Sequence, residues 1–310
     1  YSTPWLTERH GYDPTSFFFF YFKRPKPSSL LKNILAFLFM IFYLIGNSYQ
    51  EVGSWNLLFG NYLMIFLAIV RGFSLFFLFK TCFSYLDVFL EKEVTFSYKP
   101  KNKYLKKIVS LFCQHPFLFS LVFLLLFYLI YMIAFYPLIL SKDPSFQIKQ
   151  FFNVHTKYID YVIPLSPDVN LTNHHPVFHT LLLGGFIKLG RFFGSDNLGL
   201  FLYAIMQTLI LISSLSCCVC YIYKKKKKLL LSFILLFIFA LVPMYPFYAM
   251  AAVKDTLYTS FIIFYVVFLL TLIDRKKNEQ IPLKDYIILF FISILICLLR
   301  NNGIYVVIIS

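Results

Sequence analysis

The feature that constrains this chain most is a succession of uninterrupted apolar runs, each long enough to cross a bilayer. They fall at about 30–46, 56–79, 116–140, 198–223, 229–250 and 257–273, with a last one from about 286 onward. A membrane-spanning helix needs roughly 20 mostly apolar residues. Apolar side chains make up 59% of the sequence and charged ones 14%, and the mean hydropathy is +0.73. A soluble domain carries about a quarter charged residues. The sequence therefore predicts an all-α polytopic membrane protein with about seven transmembrane helices. A transmembrane barrel would alternate apolar and polar residues instead of running apolar.

Charge sets the expected orientation. The net charge of +15 does not point to nucleic acid, because the lysines sit in short loops beside the spans. Segments 1–32, 80–107, 224–228 and 274–285 hold 21 of the 29 Lys and Arg residues, whereas 47–55, 137–196 and 251–255 hold 6. The basic side is cytoplasmic by the positive-inside rule. The N-terminus is thus expected in the cytoplasm and loop 137–196 outside, in a cell membrane. The run 177–193 is apolar enough to suggest a span. Crossing there would carry Lys224–Lys228 to the outside, so the expectation is a helix lying at the outer interface. Arg71 inside the second run is expected to snorkel.

The six cysteines lie in or beside apolar runs with no paired metal spacing, and read as buried hydrophobes. The chain starts without an initiator Met and stops at Ser310 inside an apolar run, so a fragment truncated at its C-terminus is expected.

Candidate chemistry gathers in the polar interval 136–194, which carries four of the six histidines: His155, His174, His175 and His179. Asp143 follows the third apolar run at once. A carboxylate in low-dielectric surroundings there can act as a general base. Alternatively Asp143, before Pro144 and Ser145, caps a helix. In NHHPVFHT, His175 and His179 stand four apart, which is metal-ligand spacing, but the glutamate of HExxH is missing. Asn173, His174, His175 and His179 fit binding of phosphate or sugar hydroxyls better. Lys254, Asp255 and Arg300 are expected near the same outer surface. Ionisable residues within membrane segments are costly and mark candidate sites. A lysine and an arginine there suit a lipid-linked phosphate.

The order of these features resembles the GT-C superfamily of integral-membrane glycosyltransferases, which includes the protein O-mannosyltransferases and the bacterial aminoarabinose transferases. The resemblance rests on Tyr136-Pro137, Asp143, Gln150, the stretch NHHPVFHTLLLGGFIKLGRFFG, Asn197 and the span running to the five lysines. It covers residues 108–310, a GT-C-like core with external loop 137–196. Residues 1–29 then form a cytoplasmic or interfacial tail, and 30–107 a two-span extension with a basic loop. The family's usual pair of adjacent acids is absent, with Lys142 and Pro144 flanking Asp143.

The resemblance implies sugar transfer from a polyprenyl-phosphate donor to an acceptor hydroxyl on the outer face of a bacterial cell envelope. Asp143 would be the catalytic base, and Lys254 and Arg300 the donor-phosphate ligands by position. Some members use a divalent metal at this place, and the sequence leaves that open. A transporter or flippase of lipid-linked saccharides is the alternative, although no internal repeat is visible. A membrane acyltransferase using His175 or His179 and a non-catalytic assembly protein are the remaining readings.

Overall fold

The computed structural model describes residues 29–91, 102–154, 171, 174–226, 229–275 and 281–309. Among them every regular element is a helix. Five helices are long and apolar enough to cross a membrane: α1 (Leu30–Val52), α3 (Tyr62–Tyr85 of a helix running Tyr62–Glu91), α5 (Pro116–Ala134), α8 (Asp196–Lys225 of Asp196–Lys226) and α11 (Lys254–Ile273). The protein is an all-α membrane protein. The shorter helices are α2 (Asn56–Phe59), α4 (Lys103–Gln114), α6 (Lys142–Phe151), α7 (Val177–Phe192), α9 (Leu229–Leu241), α10 (Met244–Ala249), α12 (Leu283–Leu299) and α13 (Gly303–Ile309).

The chain divides into two compact units, Tyr1–Val94 and Thr95–Ser310. In the first, α1 packs on α3. Ser29 caps α1, its hydroxyl accepting from the Lys32 N–H. Gly53, at φ 64°, ends the helix in the left-handed region that suits glycine.

In the second unit α8 is the axis. It packs against α5, α7, α9 and α11, and 56% of its apolar window is buried, against 22% for α5 and for α11. Two apolar clusters lie along it. One joins Phe112, Leu124, Tyr128, Leu215, Leu236 and Phe239. The other joins Met132, Leu183, Ile187, Tyr203, Met250 and Leu257. Burying side chains of this size contributes about 1.5–3 kcal/mol each relative to exposure in water. Their value in lipid lies more in close packing.

Several helix limits differ from those expected. The third apolar run stays helical only to Ala134, and beyond it Ile139 pairs with the 250–252 segment. The run 229–250 breaks at Val242 and Pro243, where proline cannot continue the ladder. The last run breaks at Arg300–Asn302 before α13.

The glycines of GGFIKLG stand where helices touch. A Cβ on Gly184 would run into the Phe151 ring of α6, and one on Gly190 into the backbone of Gly199 on α8. These contacts, and the burial of His179, Thr180, Leu183 and Ile187, give α7 a packed inner face.

Candidate functional site

The two ends of the second unit differ in chemistry. At one end lie Lys224 and Lys225, with Tyr221 donating to Asp274 at 2.7 Å and Arg275 against Asp285. By chain direction the opposite end holds the starts of α6, α7 and α11 and the end of α12. The candidate residues among those described gather there.

A short backbone pairing assembles that end. Ile139 N–H donates to Met250 O at 2.8 Å, and Ala252 N–H donates to Ile139 O at 3.0 Å. Ile139 lies four residues before Asp143, and Ala252 two before Lys254. The pairing thus ties the start of α6 to the start of α11. The turn at 248–251 is held as well. The Gln207 carboxamide N–H groups reach Tyr248 O, Ala249 O and Ala251 O at 3.2, 3.0 and 2.7 Å. Thr208 and Thr256 donate to Ala249 O and Tyr248 O.

Asp143, Gln147 and Gln150 follow one another at helical spacing and share one face of α6. Gln147 and Gln150 are buried. Asp143 is not the cap, as Ser141 occupies that position and Asp143 sits in the first turn. A carboxylate there is favoured by the helix dipole. Nor is it enclosed in low-dielectric protein, since its side chain is exposed.

His175 lies just before α7 and is 4% exposed. Its Nδ1 is buried with no hydrogen-bond partner among the described residues. Burial first, and then the Lys254 ammonium and His174, push its pKa below the ordinary histidine value, while the Asp143 carboxylate pulls the other way. Asp143 and Lys254 therefore both act on this one imidazole. His174 is exposed, its ring edge-on to His175 at 4.7 Å.

His179 has a different place from the one expected. It is fully buried, with Nδ1 3.0 Å from the Gln147 carboxamide and Nε2 2.8 Å from the Tyr203 hydroxyl. Both ring nitrogens are taken, so it serves neither as a metal ligand nor as a surface contact for substrate. Burial, reinforced by Lys254 and His175, lowers its pKa to about 4.

The network fixes the tautomer. Gln207 has both N–H groups on carbonyls, so its Oε1 must accept, and Tyr203 donates to it at 2.9 Å. Tyr203 oxygen then accepts from Nε2–H of His179. Nδ1 is left as an acceptor, which asks Gln147 to turn its NH2 toward the ring. The opposite orientation strands that NH2 without a partner.

Lys254 is the first residue of α11, half-buried at the positive end of a helix. A cation there is disfavoured by the dipole unless an anion is at hand. Asp255 and Arg300 form an ion pair at 3.1 Å, with about half of each side chain exposed, and Arg300 stands over the Tyr258 ring at 5.4 Å. Arg300 is thus tied to Asp255, while the Lys254 charge acts on both His175 and His179. Asn173 and His155 lie outside the described residues. Among the described residues no group of three or more His, Cys, Asp or Glu side chains is placed to hold a metal ion.

Gln147, Tyr203 and Gln207 were not expected from sequence. A signal for Gln207 was present, since a glutamine inside an apolar run needs partners there.

A family model matches over residues 26–310, and it describes a family of unknown function, DUF6020. The chain belongs to the DUF6020 family. No curated protein and no solved structure matches this DUF6020 chain.

Proposed function

We propose that this chain is a GT-C-like membrane glycosyltransferase with seven spans, moving a sugar from a polyprenyl-phosphate donor to an acceptor hydroxyl. The Asp143 end faces outward and the lysine end the cytoplasm, in keeping with the positive-inside bias. The observation that carries the reading is the Ile139–Ala252 pairing, which brings an exposed carboxylate and a half-buried ammonium to one imidazole.

In this reading Asp143 takes the proton of the acceptor hydroxyl, whose oxygen attacks the anomeric carbon. The bond from that carbon to the phosphate oxygen breaks, and the electron pair leaves with the polyprenyl phosphate. Lys254 and the free N–H groups opening α11 stabilise that departing charge. His174, exposed beside His175, offers a hydrogen bond to a sugar hydroxyl. Arg300 and Asp255 close the rim as a pair.

Binding of a fluorescent polyprenyl phosphate to the purified full chain tests the assignment of charge. Lys254→Ala is expected to weaken binding about tenfold or more, the size of a lost charge-assisted contact. Asp143→Asn is expected to bind as tightly as wild type. Equal binding by Lys254→Ala would remove the phosphate site from this end.

A further inference from the structure

The first unit carries a charge where a bilayer is driest. Between Tyr62 and Lys80 of α3 lies the apolar stretch 63–79, and Arg71 is its central residue, eight positions from either end. At the rise of an α-helix that is about 12 Å, close to half of a hydrocarbon core about 30 Å thick. The methylene stem of an arginine covers only part of this distance. Snorkelling from such a depth leaves the guanidinium short of the lipid phosphates. Arg71 is exposed, and it has no hydrogen bond, ion pair or ring contact among the described residues.

The faces of α3 differ in chemistry. On one face Gly72 is buried, and a Cβ there would meet Met40 and Leu44 of α1 at 3.4 and 3.6 Å. A second face presents Phe66, Phe73 and Phe77, all exposed, as suits lipid. Arg71 stands about 100° around the helix from Gly72, on a third face. Ser74 shares that flank, its hydroxyl donating to Val70 O at 3.0 Å, and so does the exposed Cys82, three turns on. The polar side chains of the span thus collect on one flank while the phenylalanines hold another. Charged residues within spans face protein or a polar partner as a rule.

A carboxylate at the same depth is the counter-charge that suits this flank, because an ion buried in hydrocarbon needs its opposite beside it. None comes from this chain. All 14 acidic residues lie outside the seven apolar runs, so neither the rest of the chain nor a second copy of it carries one at mid-span. We propose that the Arg71 flank of α3 docks a membrane-spanning helix of a different protein, one with an aspartate or glutamate near its middle. The guanidinium donates two parallel hydrogen bonds to that carboxylate, and the small Ser74 side chain lets the partner helix come close. The surface belongs to the first unit and stands independently of the sugar-transfer reading.

The test uses the full chain in phosphatidylcholine vesicles with a synthetic leucine–alanine spanning peptide. The peptide carries one central glutamate, or glutamine at the same place, and a dansyl group at one end. Both tryptophans, Trp5 and Trp55, belong to the first unit, so energy transfer from tryptophan to dansyl reports docking there. The glutamate peptide is expected to reach half of maximal transfer at a several-fold lower mole fraction than the glutamine peptide. Arg71→Leu should remove that preference. It places an apolar side chain on an exposed face of an apolar helix, so the variant keeps the fold. Arg71→Lys should retain part of the preference, since an ammonium keeps the charge but not the paired hydrogen bonds. Equal transfer to the two peptides in the wild type means that lipid phosphate or water meets the charge, and overturns the docking surface. A preference that survives Arg71→Leu overturns Arg71 as its origin.

Discussion

The hydroxyl of Tyr203 stands 2.8 Å from Nε2 of His179, and through this contact α8 holds α7 at the base of the candidate site. The same hydroxyl donates to Gln207, whose amide secures the 248–251 turn ahead of Lys254. Tyr203→Phe keeps the ring and removes the link, leaving His179 Nε2 and Gln207 Oε1 buried without partners. Each such orphan costs about 1–3 kcal/mol. Thermal unfolding in detergent is expected to show a loss of about 2 kcal/mol or more.

Protonation of His179 gives a second test. Its pKa is lowered to about 4 by burial, against the ordinary value near 6.5. The unfolded chain binds the proton first, so the stability contribution is full above about pH 6.5 and declines as the pH falls toward 4. By pH 5 the loss is on the order of 2 kcal/mol. Unfolding followed at pH 7.5 and pH 5 should show it, and His179→Gln should flatten the difference.

Glycine at 184 is required by its neighbour more than by its backbone. Gly184→Ala places a methyl in the Phe151 ring and is expected to destabilise by about 1–3 kcal/mol. Phe151→Ala in the same chain should recover part of that loss, because it removes the obstructing ring. Destabilisation that is additive in the double variant would mean that the two helices do not meet there.

Two of the ion pairs in the second unit should respond differently to removal of one partner. Asp255 and Arg300 are both about half exposed, and Asp255→Asn is expected to cost less than about 1 kcal/mol. Asp285 is nearly buried, with its side chain 5% exposed beside Arg275 at 2.6 Å. That approach lacks the alignment of a hydrogen bond, so charge attraction holds it. Arg275→Gln should cost about 3 kcal/mol, as expected when the buried Asp285 carboxylate loses its partner. Melting curves of the two variants, measured side by side, decide this.

The helical class was legible because apolar runs of spanning length admit few folds. Position along the chain also placed Asp143, Lys254 and Arg300 at the same end, since consecutive spans alternate in direction. Pairing was not legible. Nothing in the local sequence announces that Ile139 meets Ala252, because that contact joins residues more than a hundred positions apart through backbone atoms that every residue has. His179 was misread as a surface ligand because its partners, Gln147 and Tyr203, come from two other helices. Arg300 was expected at a lipid phosphate, and the structure pairs it with Asp255, the neighbour of Lys254. The small residues of α7 were legible, but not that Gly184 and Gly190 stand where it closely approaches α6 and α8.

The central claim is that Asp143 activates an acceptor in sugar transfer from a lipid phosphate. The direct measurement is transfer of radiolabelled sugar from a polyprenyl-phosphate donor in proteoliposomes holding the wild-type chain or Asp143→Asn at matched amounts. The account predicts transfer by the wild type and a fall of about a hundredfold or more in the variant, with the melting temperature unchanged. Transfer by Asp143→Asn at the wild-type rate would contradict it.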